Sequence, residues 1–208
     1  IDSKVKRTEG RPLANKQIKI STALILFFFL LLISLQIIFL LPLASRNICL
    51  ILAAISLIPI ILYPSSKRWF KYPQLLLSIC WGFAVLIPWA AIESNLNGGF
   101  SLLTCWFSTM IWTFGFDTIY AMSDKEDDKK LGLNSSALAL GDKAYGIVSI
   151  CYGLSSILIA TSAFINGVNA IFWPIWIIAC IGMQREIYIL KRLNNKENKF
   201  SRHFLNQV

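Results

Sequence analysis

The segment GFDTIYAMSDKEDDKK, residues 115–130, holds five carboxylates and a tyrosine and follows twenty-one uncharged residues. Its acidic and polar positions Asp117, Tyr120, Asp124, Asp127 and Asp128 are spaced 3, 4, 3 and 1. At about 100° per residue they fall within one stripe of a helix, a ladder of oxygens running from inside an apolar segment to its mouth. Carboxylates crowded on one face raise one another's pKa unless a cation sits between them. A divalent metal meets that need, and oxygen-only donors favour Mg²⁺, which keeps several waters and bridges to phosphate oxygens. Taken alone, SDKEDDKK is more often a solvated loop. Asp117 does not, because it lies about four residues inside the apolar segment, where an ionisable group is costly and marks function by default.

Two basic constellations could serve the same chemistry. In IDSKVKRTEGRPLA, Asp2 precedes Lys4, Lys6, Arg7 and Arg11, with Pro12 fixing the turn before the next helix. In YPSSKRWFKYPQ, Lys67, Arg68 and Lys71 alternate with aromatic residues. Each by itself reads as the basic flank of a membrane span. Acid stripe and basic clusters at one side of an apolar bundle together describe a site for an amphiphile with a diphosphate head and a long hydrocarbon tail.

Those residues need a scaffold, and composition says which. The chain is 56% apolar with a mean hydropathy of +0.61, well above the balance of a soluble domain. Apolar runs able to cross a hydrocarbon core of about 30 Å occupy roughly 19–41, 45–62, 73–92, 100–120, 144–163 and 169–190. The expected fold is all-α: a polytopic transmembrane helical bundle of six spans, and residues 1–208 make one intramembrane domain, since no hydrophilic linker divides them. Nineteen of the twenty Lys and Arg residues fall in alternate connections and at both ends, Arg46 being the exception. That asymmetry predicts a cytoplasmic location for both ends and for the acidic mouth. The net charge of +9 suits lipid headgroups or an anionic substrate. Nucleic acid is a poor partner, because the basic residues flank spans and no nucleic-acid module is present. The five cysteines lie in or beside apolar runs without C-x-x-C spacing, as small core residues do.

DTIYAMSDKEDDKKLGLNSSALALG resembles the second aspartate-rich motif of the UbiA-type intramembrane prenyltransferases, in particular the branch that acts on 4-hydroxybenzoate in quinone biosynthesis. IDSKVKRTEGRPLA is similar to the end of that family's first motif, and YPSSKRWFKYPQ, with Trp81 beyond it, to its basic loop. Phe70 stands where that loop usually carries Thr. The resemblance implies a bundle of nine helices in the complete protein, of which this chain would be an internal segment. It implies transfer of a polyprenyl group from polyprenyl diphosphate to the ring of 4-hydroxybenzoate in the cell's inner (plasma) membrane. A sibling acceptor, such as dihydroxynaphthoate, homogentisate, a chlorophyllide or haem, is the alternative; a cation transporter is the rival from another class. Carried over residue by residue, Asp2, Asp117, Asp124, Asp127 and Asp128 would bind Mg²⁺. Asp117, Asp124 and Tyr120 would act at the reacting centre, and Arg7, Arg11, Lys67, Arg68 and Lys125 would contact substrate.

Overall fold

The computed structural model describes residues 8–193, and every regular element among them is helical. In chain order these are α1 (Ile20–Phe39), α2 (Leu43–Ser66), α3 (Pro73–Glu93), α4 (Gly99–Met122), α5 (Lys125–Lys130), α6 (Ser136–Leu140), α7 (Ala144–Ile165) and α8 (Phe172–Leu193), with a 3-10 turn at Gly141–Lys143. Six long helices thus fall on the six expected runs. The stretches Ile20–Phe39, Leu43–Ser66, Pro73–Glu93 and Ser136–Ile165 are long and apolar enough to cross a membrane.

The other two expected spans, α4 and α8, are long enough but more polar. The hydroxyl groups of α4 are largely spent inside the bundle. Thr104, Thr109 and Thr113 bond back to carbonyls of α4 itself. Ser108 and Ser155 bond reciprocally, each hydroxyl to the other residue's carbonyl, at 2.9 and 3.0 Å. Ser101 pairs with Ser162 at the far end, and a Cβ on Gly115 would stand 3.1 Å from the Tyr152 ring. Small residues every seventh position therefore let α4 and α7 approach closely along their length, which is how helices associate where water supplies no driving force. On the other side of α7, Trp176 donates to the Ser156 carbonyl and Gln184 to that of Ser149, so α8 runs antiparallel beside it. Both α4 and α8 thus pack alongside α7, which is long and apolar enough to cross a membrane.

Chain order sets the rest. α2 packs on α3, α3 on α4, and α4 on α7. Pro73 opens α3 at its first position, where a missing N–H costs nothing, and Ser94 closes it in the left-handed region. Cys49, Leu52 and Ala90 form one buried cluster; Ile119, Tyr145, Val148, Tyr152, Ile187 and Leu190 form the other. α1 has no buried residue, so its apolar surface is turned outward, as for a helix facing lipid. The five cysteines are free. The uncharged turns gather at one end, tied by Ser45 to Ser94 at 2.6 Å and by the Asn166 amide to Ser101. The charged connections gather at the other.

Candidate active site

At the charged end the acidic segment does not continue as one helix. α4 stops at Met122, a turn covers Ser123 and Asp124, and α5 resumes at Lys125. The single stripe expected from the spacing is therefore broken: Asp117 and Tyr120 ride on α4, Asp124 stands at the N-cap position of α5 without a side-chain capping bond, and Asp127 and Asp128 belong to α5. The reason lies in charge as much as in packing. Three carboxylates in the first turn of α5 and two lysines in its last complement a separate helix dipole, which a continuous helix would not have there.

The break turns two carboxylates inward. Asp124 is buried and Asp128 has no exposed surface at all. Lys67, at the C-terminal end of α2, reaches across and bonds both oxygens of Asp128, its Nζ lying 2.9 and 3.0 Å from Oδ1 and Oδ2. The backbone repeats the tie, the Asn134 N–H meeting the Lys67 carbonyl at 2.7 Å. Burial pushes the Asp128 carboxyl up; the Lys67 hydrogen bond and charge pull it back in part, and Asp124 and Asp127 add to the rise. An ammonium has three donors, so Lys67, 26% exposed, keeps one for a further anion.

The remaining candidates divide by place. Asp117 and Tyr120 are half-buried and lie within electrostatic range of Tyr63 on α2, which sits by Cys80 of α3. Asp127 and Lys125 are half-buried on α5, whereas Arg68 and Arg11 are exposed. Asp2 and Arg7 lie outside the described residues. From Tyr120 an aromatic ladder descends α4: Phe116 stacks on Tyr120 at 6.5 Å and Trp112 on Phe116 at 5.1 Å. Trp112 then borders a groove of about 260 Å³ between α4, α7 and α8, with Ser155, Trp176 and Met183 on its other walls.

Among the described residues no three carboxylates, thiols or imidazoles converge as a metal cage. Mg²⁺ does not need one, since it is usually held by one or two carboxylates with waters and phosphate oxygens completing its shell. Buried Asp124 and half-buried Asp117 offer oxygens of that kind, and in that mode the donors fit. Gln74, Thr118 and Ser136 are also buried here and bonded to one another. Nothing in their spacing marks them as part of a site. The one available signal is a buried-length amide, Gln74, opening an otherwise apolar run.

Most of the charged groups gather at one mouth of a bundle of apolar helices, and the chain belongs to the UbiA prenyltransferase family, whose profile matches residues 1–208. It is 38% identical over 183 residues to a 4-hydroxybenzoate solanesyltransferase of Synechocystis sp. (strain ATCC 27184 / PCC 6803 / Kazusa), covering 88% of this chain and 60% of that protein. It is 34% identical over 172 residues to a 4-hydroxybenzoate octaprenyltransferase of Neisseria meningitidis serogroup B, covering 83% and 56%. A protein of the same name from Francisella tularensis subsp. novicida is 30% identical over 205 residues, 96% of this chain and 69% of that one. The chain thus spans about 60% of the length of such relatives. No solved structure matches it.

Proposed function

We propose that the protein to which this chain belongs transfers a polyprenyl group from polyprenyl diphosphate to the ring of 4-hydroxybenzoate, with residues 1–208 forming part of one intramembrane domain. The observation that carries the reading is the meeting of a fully buried carboxylate, Asp128, with Lys67 at the charged mouth of a bundle of apolar helices. The names of the relatives support the acceptor.

Asp117 and Asp124 would hold Mg²⁺ from one side, with Asp2 on the other and Asp127 and Asp128 in support. When bound, the ion would neutralise charge on the diphosphate as it leaves. The free donor of Lys67 would take a phosphate oxygen, with Arg68 and Lys125 reaching the same group from the rim. Arg7 or Arg11 would hold either the diphosphate or the acceptor's carboxylate. The allylic C–O bond breaks, and the cation it leaves stays in a space walled by apolar side chains that exclude water. Tyr120, where the aromatic ladder meets the acids, would present its ring to that cation, and the Trp112 groove would take the isoprenoid tail. The aromatic ring then forms the new C–C bond through the carbon ortho to its hydroxyl and gives up a proton, which an oxygen of the departed diphosphate takes up. The basic connections favour the inner (plasma) membrane with this mouth toward the cytoplasm.

The test is the complete protein in lipid with 4-hydroxybenzoate and a prenyl diphosphate, products read by mass. Prenylated 4-hydroxybenzoate that appears with Mg²⁺ and vanishes with a chelator is the expected result. Absence of product, or product indifferent to chelation, would refute the reading.

A further inference from the structure

The carboxylates at the mouth are borne by two helices joined through the turn at Ser123 and Asp124, where the helical ladder gives way to short turn bonds from the Ser123 and Asp124 N–H groups to the Tyr120 and Ala121 carbonyls. A buried polar chain outside the acids also links the two sides of that turn. Gln74, in the first turn of α3 and 2% exposed, offers its Oε1 to the Ser136 N–H and the Ser136 hydroxyl, both at 2.8 Å. The Ser136 hydroxyl also lies 2.8 Å from that of Thr118. Ser136 has a single hydroxyl proton, and the Gln74 oxygen can only accept, so Thr118 must be the donor in the second bond. Donation therefore runs from Thr118 to Ser136 to Gln74 and ends on an oxygen whose two acceptor sites are both filled. Chained bonds of this kind reinforce one another in a dry interior.

The two ends of the chain explain its reach. Thr118 follows Asp117 directly, and Ser136 lies three residues beyond Leu133, whose N–H meets the Asp128 carbonyl at 2.9 Å. One amide oxygen on α3 thus fixes both the α4 side and the α6 side of the segment that carries Asp117, Asp124 and Asp128. We propose that Gln74 is a positioning residue for the acidic mouth: through Ser136 and Thr118 it sets where those carboxylates stand relative to one another, and so the affinity of the site for Mg²⁺ together with a diphosphate. The inference rests on the prenyl-transfer reading above.

The test uses the complete protein in detergent, with inorganic diphosphate as the probe, and reads the Mg²⁺ concentration that gives half of the thermal stabilisation. Gln74→Met keeps length and volume but removes the acceptor; Thr118→Val keeps shape but removes the donor; Thr118→Ser keeps the donor. Gln74→Met and Thr118→Val should each raise that half-point about tenfold to a hundredfold, the usual effect of losing a group that orients metal ligands. The KM for the prenyl diphosphate should rise with it while that for 4-hydroxybenzoate stays near the wild-type value. Thr118→Ser should keep the wild-type half-point, and the double variant should be no worse than Gln74→Met alone. Should Gln74→Met fail to fold, the Thr118 pair carries the same comparison. An unshifted half-point in the broken variants, or a lower melting temperature without such a shift, overturns the positioning role. A wild type that shows neither stabilisation nor transfer overturns the reaction itself, and the inference with it.

Discussion

Lys67→Met in the complete protein strands Asp128, a carboxylate with no exposed surface whose two oxygens both accept from the lost ammonium. The carboxylate has two ways out. It can stay ionised and unpaired, which in a dry site costs about 3–5 kcal/mol, or it can take up a proton. The proton sets a ceiling: keeping an acid of ordinary pKa, about 3.9, neutral at pH 7 costs roughly 4 kcal/mol. Lys67 is itself 26% exposed, so water screens part of its charge, and the expected loss at pH 7 is about 2–3 kcal/mol. At pH 5 the same ceiling falls to about 1.5 kcal/mol, because the proton is then cheap. In a thermal scan that is a melting temperature lower by roughly 5–10 °C at pH 7, at about 2–4 °C per kcal/mol for a chain of this size, and a gap at least halved at pH 5.

The sign agrees with the wild type. Burial already holds the Asp128 carboxyl above its usual range, so the folded form binds that proton more tightly than the unfolded chain. Its contribution to stability is full below the ordinary carboxylate pKa and is lost as pH rises through the raised value. Lys67→Met/Asp128→Leu, which removes both charges, should recover most of the loss. Equal losses at pH 7 and pH 5, or no loss at pH 7, would refute the assignment of Asp128 as a buried charge dependent on Lys67.

Asp117→Asn and Asp124→Asn should each abolish Mg²⁺-dependent transfer, removing several kcal/mol of leaving-group stabilisation, while Asp142→Asn, exposed in the 3-10 turn, should turn over normally; product assays on membranes decide it. Cysteines placed at the exposed positions Lys71 and Lys129 should react with an impermeant thiol reagent only from the cytoplasmic side, and one at exposed Asn97 only from outside; the reverse labelling would invert the site. Gly82→Ala would put a methyl 2.6 Å from Nε1 of Trp106 and 3.1 Å from Met110, so it should cost about 1–3 kcal/mol by forcing α3 from α4, read as a lower melting temperature in detergent.

The elements themselves were readable without coordinates. Each long helix coincides within a few residues with an apolar run, because a bilayer leaves the backbone no partner but itself and so converts hydrophobic length directly into helix. The family was readable too, since residues 117–141 carry its motif in contiguous order. Ser66 shows the opposite case: it looks like an exposed loop serine in YPSSKRW, yet it is buried and donates to the Tyr63 carbonyl, because α2 runs through it to the site.

What periodicity missed is instructive. Spacing placed Asp117, Tyr120, Asp124, Asp127 and Asp128 on one stripe by assuming a single helix, and the turn after Met122 redistributes them between two. The order of charges along α5 favours that turn only weakly by itself; it is also stabilised from a distance, by Lys67 on Asp128 and by Gln74 on Ser136, contacts 61 and 62 residues apart in sequence. The residue types and their order pointed to the membrane-crossing helices, to the end that carries most of the charge, and to the acids proposed to meet a metal and a diphosphate. Only tertiary structure decided which of those acids is buried, which lysine answers it and which buried amide is bonded beside them, because burial and hydrogen-bond partnership are properties of helices brought together and not of any one stretch of chain.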